Sequence, residues 1–305
     1  MEISYSLSSP NYVIDSVTIG FFDGCHLGHR RLLSRLSSYE GKSGVITFDI
    51  HPQTLLSSSS PMLITTIKEK LAIFANLSVD HTFVLPFTRE FANQSAEEFL
   101  SLIHNTLRCK RLILGYDSRF GKDGLGNITS LCPLATILNI ELMKIPPYYV
   151  DGEIVSSKKI REFLSRGDLV KANAFLGYPY QYSGEVIQGK RIGRCLGVPT
   201  INIQQQSALL PHGVYACEVV HKATYYQGIM NLGLAPTVQR EGLVLEAHLF
   251  EFSGNLYGER VTVIPRKFIR AEQTFASKES LKQAMLKDTK VAKSFFNSPS
   301  YVKTV

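Results

Sequence analysis

The sequence contains no Cys-x-x-Cys pair, and its five cysteines (Cys25, Cys109, Cys132, Cys195 and Cys217) are odd in number and widely scattered. That pattern argues against a disulfide framework or a thiolate-bound structural zinc, and for a reducing, cytoplasmic setting. No stretch approaches about 18 consecutive apolar residues, so no transmembrane helix is expected. The opening Met-Glu-Ile-Ser-Tyr has neither a basic segment nor a long apolar core, so no signal peptide is expected. There is no internal repeat, and the low-complexity tract Ser57–Ser60 reads as a loop. No run of Lys or Arg and no basic stretch interleaved with aromatics occurs, despite a net charge of +7. An anionic small molecule is therefore a better partner than nucleic acid, and no membrane partner is implied.

What is present describes a globular enzyme. With 305 residues, 44% hydrophobic and 19% charged, the chain can bury one large core or two ordinary ones. Its organising stretch is Thr18-Ile-Gly-Phe-Phe-Asp-Gly-Cys-His-Leu-Gly-His-Arg30. The β-branched run from Val13 to Ile19 predicts a buried strand that stops at Gly20. Asp23-Gly24 makes a turn, and Leu32, Leu33 and Leu36 then recur at helical spacing. His26 and His29 stand at the mouth of that helix, where unpaired N–H groups and the dipole favour an anion. Gly28, between them, removes a side chain where a phosphate would approach the backbone. Two imidazoles there can donate hydrogen bonds to phosphoryl oxygens as charge builds up. A surface His-x-x-His is the bland alternative, and zinc lacks a third ligand at a recognisable spacing. Cys25, beside this loop, reads as a small buried filler rather than a reactive thiol.

The first half goes on in alternating grammar. Ser43–Phe48 predicts a strand, with Asp49, Ile50, His51 and Pro52 at its C-terminal end, where α/β sheets gather ligands. Ile67–Ala75 predicts a helix and Thr82–Leu85 a strand. Ser95-Ala-Glu-Glu98 reads as a capping box for a helix through Phe99, Leu102 and Ile103. Leu112–Leu114 is a further strand, ending in the glycine-rich run Gly115–Gly126. Strands alternating with helices predict a parallel, doubly wound sheet. Ser157, after Ser156, reads as an N-cap for a helix carrying Ile160, Phe163 and Leu164 and ended by Gly167. Arg161, one turn along, would clamp a pyrophosphate against that helix mouth; simple capping is the bland alternative. Asp168 caps a further helix through Val170–Phe175.

Past Tyr180 the pattern changes to short β-prone runs: 184–187, 214–220, 224–230, 243–250 and 261–264. Gly, Pro and Asn turns separate them, which predicts an antiparallel barrel. Ser277 then caps a C-terminal helix carrying Leu281 and Met285. Gly189, Gly193 and Gly197, with Lys190, Arg191 and Arg194, suit a loop folded over phosphates, although it is not a Walker A loop. Thr200 and Asn202, two apart on a strand, offer two neutral oxygens on one face, which suits Mg²⁺ that also takes phosphate oxygens. Glu246 and His248 face away from Leu245 and Leu249, which periodicity alone reads as a solvated face.

The string Ile19-Gly-x-Phe-Asp-Gly-x-His-x-Gly-His29 resembles the signature of the bacterial bifunctional riboflavin kinase/FMN adenylyltransferases. The likeness continues through Thr47–Pro52, Gly115–Gly121, Ser156–Arg161, Gly197–Asn202, Asn231–Thr237, Leu256–Gly258 and Ile269–Glu272, in family order. Ile50, Ser118 and Lys158 depart from the family pattern, as Val198 and Ile201 do mildly. The resemblance implies an α/β plus all-β chain. Residues 1–178 would be a Rossmann-like FMN adenylyltransferase domain with a parallel sheet, and 179–305 an antiparallel β-barrel riboflavin kinase domain. It implies ATP, riboflavin, FMN and FAD as small-molecule partners, with Mg²⁺. It places Gly20, Phe22, Asp23, Gly24, Gly28, Ser156, Ser157 and Arg161 around nucleotide phosphates and Asp117 and Phe120 near flavin. It makes Glu246 the catalytic base of the kinase. A first domain decayed to a nucleotide- or flavin-binding module is the alternative left open by the three departures.

Overall fold

A computed structural model describes every residue except 9–11, 59, 190–192, 194–196, 206–207, 235–242, 300 and 302–305. The chain divides into two compact units, Met1–Lys158 and Lys159–Val305.

The first unit carries β1 (Glu2–Ser4), β2 (Ser16–Ile19), α1 (Leu27–Leu36), β3 (Ser43–Phe48), α2 (Pro52–Leu56) and α3 (Ile67–Asn76). It continues with β4 (His81–Leu85), α4 (Arg89–Ala92), α5 (Ala96–Leu107), β5 (Arg111–Gly115), α6 (Ile128–Ile137) and β6 (Glu141–Ile145). A small hairpin of β7 (Tyr149–Val150) and β8 (Glu153–Ile154) closes it. β1 to β6 form one sheet in the order β1-β4-β3-β2-β5-β6, every pair parallel. β2, β3 and β4 are buried along their whole length, as strands covered on both faces must be. One core cluster sets Phe99, Leu100 and Ile103 of α5 and Leu131 of α6 against the sheet. The other sets Leu32, Leu33 and Leu36 of α1 and Phe74 of α3 against it. The doubly wound expectation holds.

Order reverses between β2 and β5: from β2 the chain steps through β3 to β4, then returns to build β5 and β6 on the other side. In such sheets the crevice at the carboxyl ends of the strands flanking the switch is where ligands bind. The two loops that open there are those after Ile19 and after Gly115.

Local signals hold at both ends of several helices. Ser95 and Glu98 form the expected capping box on α5, and Thr66 with Glu69 forms another on α3. Three expectations need correcting. The strand before Gly20 begins only at Ser16, because the N–H of Ile14 bonds to the carbonyl of Leu107 instead of joining the sheet. Ser157 does not cap its helix: α7 (Ser157–Ser165) begins at that residue, and its hydroxyl donates to the carbonyl of Asp23 at 2.9 Å. The last strand of the chain is far longer than 261–264, running from Arg260 to Ala271.

α7 runs across the division between the units. The second unit goes on with α8 (Leu169–Leu176), β9 (Tyr182–Ile187), β10 (Ile201–Gln205), β11 (Gly213–His221), β12 (Thr224–Leu234), β13 (Leu243–Leu249), β14 (Arg260–Ala271) and α9 (Lys278–Phe296). Asp168 caps α8 and Ser277 caps α9, as expected. The six strands close into an antiparallel barrel in the order β10-β13-β12-β11-β14-β9. β14 passes Pro265 because the β11–β14 register shifts between Ala216 and Cys217, where Pro265 pairs with Cys217. A bulge tolerates a residue that has no N–H. Ala292 and Phe296 of α9 cover the barrel over Val214, Ala216 and Ile229.

Candidate active sites

In the first unit, the loop after β2 is held from below by the segment leading into α3. Phe22 takes a left-handed conformation with φ 55°. Its ring lies over Gly20, where a Cβ would come within 2.9 Å of it. Asp23 is 3% exposed, and its carboxylate accepts the N–H groups of Ile64 at 3.0 Å and Thr65 at 3.1 Å. The Gly24 N–H donates to the Thr65 hydroxyl at 2.9 Å. Asp23 and Gly24 therefore fix the shape of the loop, with the carboxylate turned inward.

His26 is the N-cap of α1, and its Nδ1 accepts the backbone N–H of His29 at 3.3 Å. The two imidazoles stack, with centroids 3.6 Å apart and planes 16° apart. The Nδ1 of His29 is buried with no hydrogen-bond partner. A proton there would be orphaned, so the neutral ring carries its hydrogen on Nε2. His26, accepting at Nδ1, likewise carries its hydrogen on Nε2 when neutral. Burial, the adjacent His26 and then Lys70 hold the His29 imidazolium well below the ordinary histidine range. The mouth thus offers the Nε2–H groups of both rings, with His29 held neutral. The N–H groups of Leu27 and Gly28 have no partner among the described residues. Gly28 serves the stack: a Cβ there would lie 3.3 Å from the His26 ring, so the space that the spacing assigned to a phosphate holds an imidazole.

Across the switch point, Asp117 is exposed and Phe120 half-buried. The Phe120 ring packs edge-on to Phe99 at 6.1 Å, and its backbone bridges to Gly126. Ser118 closes the end of β5: its hydroxyl accepts the Gly115 N–H at 2.8 Å. Ser156 precedes α7, and Arg161 lies one turn along it, within its second-unit part. One buried group that the spacing leaves on a helix face is Lys70, whose Nζ donates to the Phe21 carbonyl at 2.8 Å.

In the second unit, Glu246 pairs in register with Asn202 on one side and with Asn231 on the other. The three side chains form one row across β10, β13 and β12, and all line a cavity of about 350 Å³. Thr200, Gly193 and His248 line it too, with Met230, Phe275, Leu281 and Met285 as its apolar wall. Glu246, itself exposed, and His248, half-buried, therefore line an open cavity. The volume falls in the range of about 300–1,000 Å³ usual for small-molecule sites. His248 Nδ1 donates to the Pro199 carbonyl at 2.7 Å, leaving the lone pair on Nε2. Asn231 donates to Glu272 at 3.3 Å. Arg270 pairs with Asp288 at 2.8 Å, tying α9 to the barrel wall.

Thr200 sits just before β10 and also lines a second cavity, of about 590 Å³, with Pro199, Phe252, Asn255 and Tyr257. Thr200 thus stands where the two spaces meet. Gly189 lies against the Asn202 amide, where a Cβ would come within 2.4 Å. Gly193 lies against the Val198 carbonyl, where a Cβ would come within 2.3 Å. Gly197 has φ +80° and nothing near it. Lys190, Arg191 and Arg194 lie outside the described residues. Gly189→Ala should displace Asn202 and slow a reaction run in this cavity about tenfold or more. Steady-state rates of that reaction, with the fold checked by circular dichroism, measure this.

Among the described residues, no group of three or more His, Cys, Asp or Glu gathers to hold a metal. The neutral oxygens of Thr200 and Asn202 fit an ion that takes its remaining ligands from phosphate and water.

The FAD synthetase family model matches residues 11–159, and the riboflavin kinase family model matches 176–296. The chain belongs to the bifunctional riboflavin kinase/FMN adenylyltransferase family. It is 36% identical over 293 residues to the protein of that name from Buchnera aphidicola subsp. Schizaphis graminum, covering 92% of this chain and 94% of the relative. The Escherichia coli K12 protein of the same name is 35% identical over 288 residues, covering 92% of each chain. A solved structure described as a macrolide-efflux protein from Streptococcus pneumoniae shares the fold, with a TM-score of 0.82 and 25% identity. That match covers 96% of this chain and 99% of the other. Among the described residues, no helix is long and apolar enough to cross a membrane.

Proposed function

We propose that the chain makes both flavin cofactors, phosphorylating riboflavin to FMN in its barrel and adenylylating FMN to FAD in its parallel-sheet unit. The observation that carries this reading is that both family matches fall on units with a built site of the matching chemistry. We assign adenylyl transfer to residues 1–178 and the kinase to 179–305. Free thiols at Cys25, Cys109, Cys132 and Cys217 suit a reducing compartment such as the cytoplasm.

In the first reaction, a phosphate oxygen of FMN attacks the α-phosphorus of ATP as the bond to pyrophosphate breaks. His26 and His29 each direct an Nε2–H at the oxygens that gain charge, beside the N–H groups of Leu27 and Gly28. Asp23, Gly24 and Gly20 hold the loop that presents them. Ser156 and Ser157 contribute from the start of α7, and Asp117 and Phe120 edge the flavin. In the second reaction, Glu246 accepts the hydroxyl proton as riboflavin attacks the γ-phosphorus and its bond to ADP breaks. The apolar wall of the smaller cavity takes the flavin ring and the larger cavity the nucleotide, so that the phosphates meet the hydroxyl near Thr200. Thr200 and Asn202 would hold Mg²⁺ beside the phosphates, where it would supply charge neutralisation.

Chain supplied with FMN and ATP should release FAD and pyrophosphate in equal amounts. FMN binding without FAD would instead leave the first unit a binding module. Lys158, a departure from the family, is exposed in the first turn of α7. Its stem can carry charge to pyrophosphate where a Thr would offer a hydroxyl. Lys158→Ala should lower kcat/KM for FAD formation up to about tenfold, more at low salt than at high. Lys158→Thr should restore it, and no loss at low salt would assign the side chain to solvent.

A further inference from the structure

Lys70 is 1% exposed and, among the described residues, forms no ion pair. An ammonium in that position is costly unless its surroundings are arranged for it. Its Nζ donates to the Phe21 carbonyl at 2.8 Å, lies 3.5 Å from the Thr47 hydroxyl, and sits 3.6 Å from the centre of the Phe21 ring. Thr47 also donates to the Phe21 carbonyl, at 3.3 Å. One short stretch, Ile64 to Lys70, thus grips the phosphate loop at Phe21, Asp23 and Gly24. Phe74 of the same helix meets the Phe22 ring edge-on at 5.8 Å, and Phe22 meets His29 at 5.3 Å. A rigid path therefore leads from α3 through Phe21 and Phe22 to the stacked imidazoles.

We propose that Lys70 is a positioning residue of the adenylyltransferase site, its buried ammonium pinning the Phe21 carbonyl and so the loop that presents the His26/His29 stack. The inference rests on assigning adenylyl transfer to this loop. The titratable groups that face Lys70 are Asp23 and Cys25 from the loop and His29 from α1; His26 and Lys70 face His29. Burial pushes the Cys25 thiol up to about 12, so it brings no charge. Burial also brings Lys70 down to about 8, which leaves it cationic at neutral pH. With burial, His26 and that cation beside it, the His29 ring gains a proton only well below the ordinary histidine range. The two hydrogens on Nε2 then stay aimed at the substrate phosphates.

The test uses full-length Lys70→Met and Lys70→Gln, with riboflavin phosphorylation by the same molecule as the control for folding. Lys70→Met should leave FMN formation within about twofold and lower kcat for FAD formation about tenfold or more, with KM for ATP changed less than about threefold. The acid limb of its FAD pH profile should rise by about half a unit or more, because His29 loses a cationic neighbour. Lys70→Gln keeps a donor for Phe21, so it should regain part of kcat while its acid limb stays raised. Unchanged FAD formation and an unmoved limb in Lys70→Met would overturn the proposal. If the first unit of both variants fails to fold, the nitrogen NMR titration of Lys70 in the unaltered chain decides. A midpoint below about 7, which would leave Lys70 uncharged at neutral pH, would overturn it. Absence of FAD from the unaltered chain would be a failure of the functional assignment, not of this one.

Discussion

Glu246→Gln is expected to cut riboflavin phosphorylation by about 10²–10⁴-fold, the scale of a lost general base. FAD formation from supplied FMN should stay within about twofold. The substitution keeps volume and polarity, so the row of Asn202, Glu246 and Asn231 across three strands should persist. What disappears is the carboxylate that takes the hydroxyl proton. A nearby substitute exists in His248, whose Nε2 lone pair is set by its bond to the Pro199 carbonyl and which lines the same cavity. FMN formation at a near-normal rate in Glu246→Gln would move the base to His248 and contradict the role given to Glu246. Quenched-flow measurement of FMN in the variant and the unaltered chain, beside steady-state FAD formation, separates these outcomes.

His26→Ala and His29→Ala should each slow FAD formation by roughly 10²-fold or more, the usual scale for removing one oxyanion donor. Riboflavin phosphorylation should be unchanged. His26 also caps α1, so its alanine variant should lose about 0.5–2 kcal/mol of stability. His26→Asn tells the two roles apart: its side-chain oxygen can again accept the His29 N–H, so the cap returns while FAD formation stays slow. The stacked rings make the pair one unit, and the double variant should lose less than the product of the single losses. The pH dependence follows from the lowered His29 value. The folded state keeps that ring neutral where the unfolded chain takes a proton, so this contribution to stability is lost as pH falls below about 6.5. FAD formation should hold through that value and fail only at lower pH. Equal losses of both activities in the single variants would mean misfolding rather than a lost donor.

Much of this architecture is legible in the residues because the signals are strong and local. Val45–Phe48 and Thr82–Leu85 are unbroken apolar or β-branched runs, and only a sheet covered on both faces buries such runs completely. Ser95 and Glu98 announce α5, and Asp168 and Gly177 bracket α8. β1, α2, α6 and β6 are hidden in the residue pattern for physical reasons. β6 is an edge strand with two exposed charged residues, Glu141 and Lys144, and α6 carries Pro133 inside it, which reads as a break. β14 likewise hides behind Pro265, because a register shift lets a strand pass a residue with no N–H.

The sites divide in the same way. The imidazole pair and the Thr200/Asn202 pair are visible as spacings, whereas Glu246 is carried by the family resemblance. Their meaning depends on what lies across from them, which spacing alone cannot tell. Glu246 and His248 alternate with apolar neighbours like any solvent-facing pair, yet Phe275 and α9 wall that face into an open cavity. Gly28 marks a close approach, but the approaching group is His26. Lys70 follows Ile67-Lys-Glu and looks like part of a charged helix face; its long stem takes the ammonium into the loop below. A lysine's stem lets its charged head lie far from its own backbone.

The central claim is that one chain carries out two successive transfers on flavin. Incubation of the full-length protein with riboflavin, ATP and Mg²⁺, sampled over time by chromatography, tests it most directly. The account predicts that FMN appears first and then declines as FAD accumulates, with two ATP consumed per FAD. FMN that accumulates with no FAD, or riboflavin left unchanged, would contradict it.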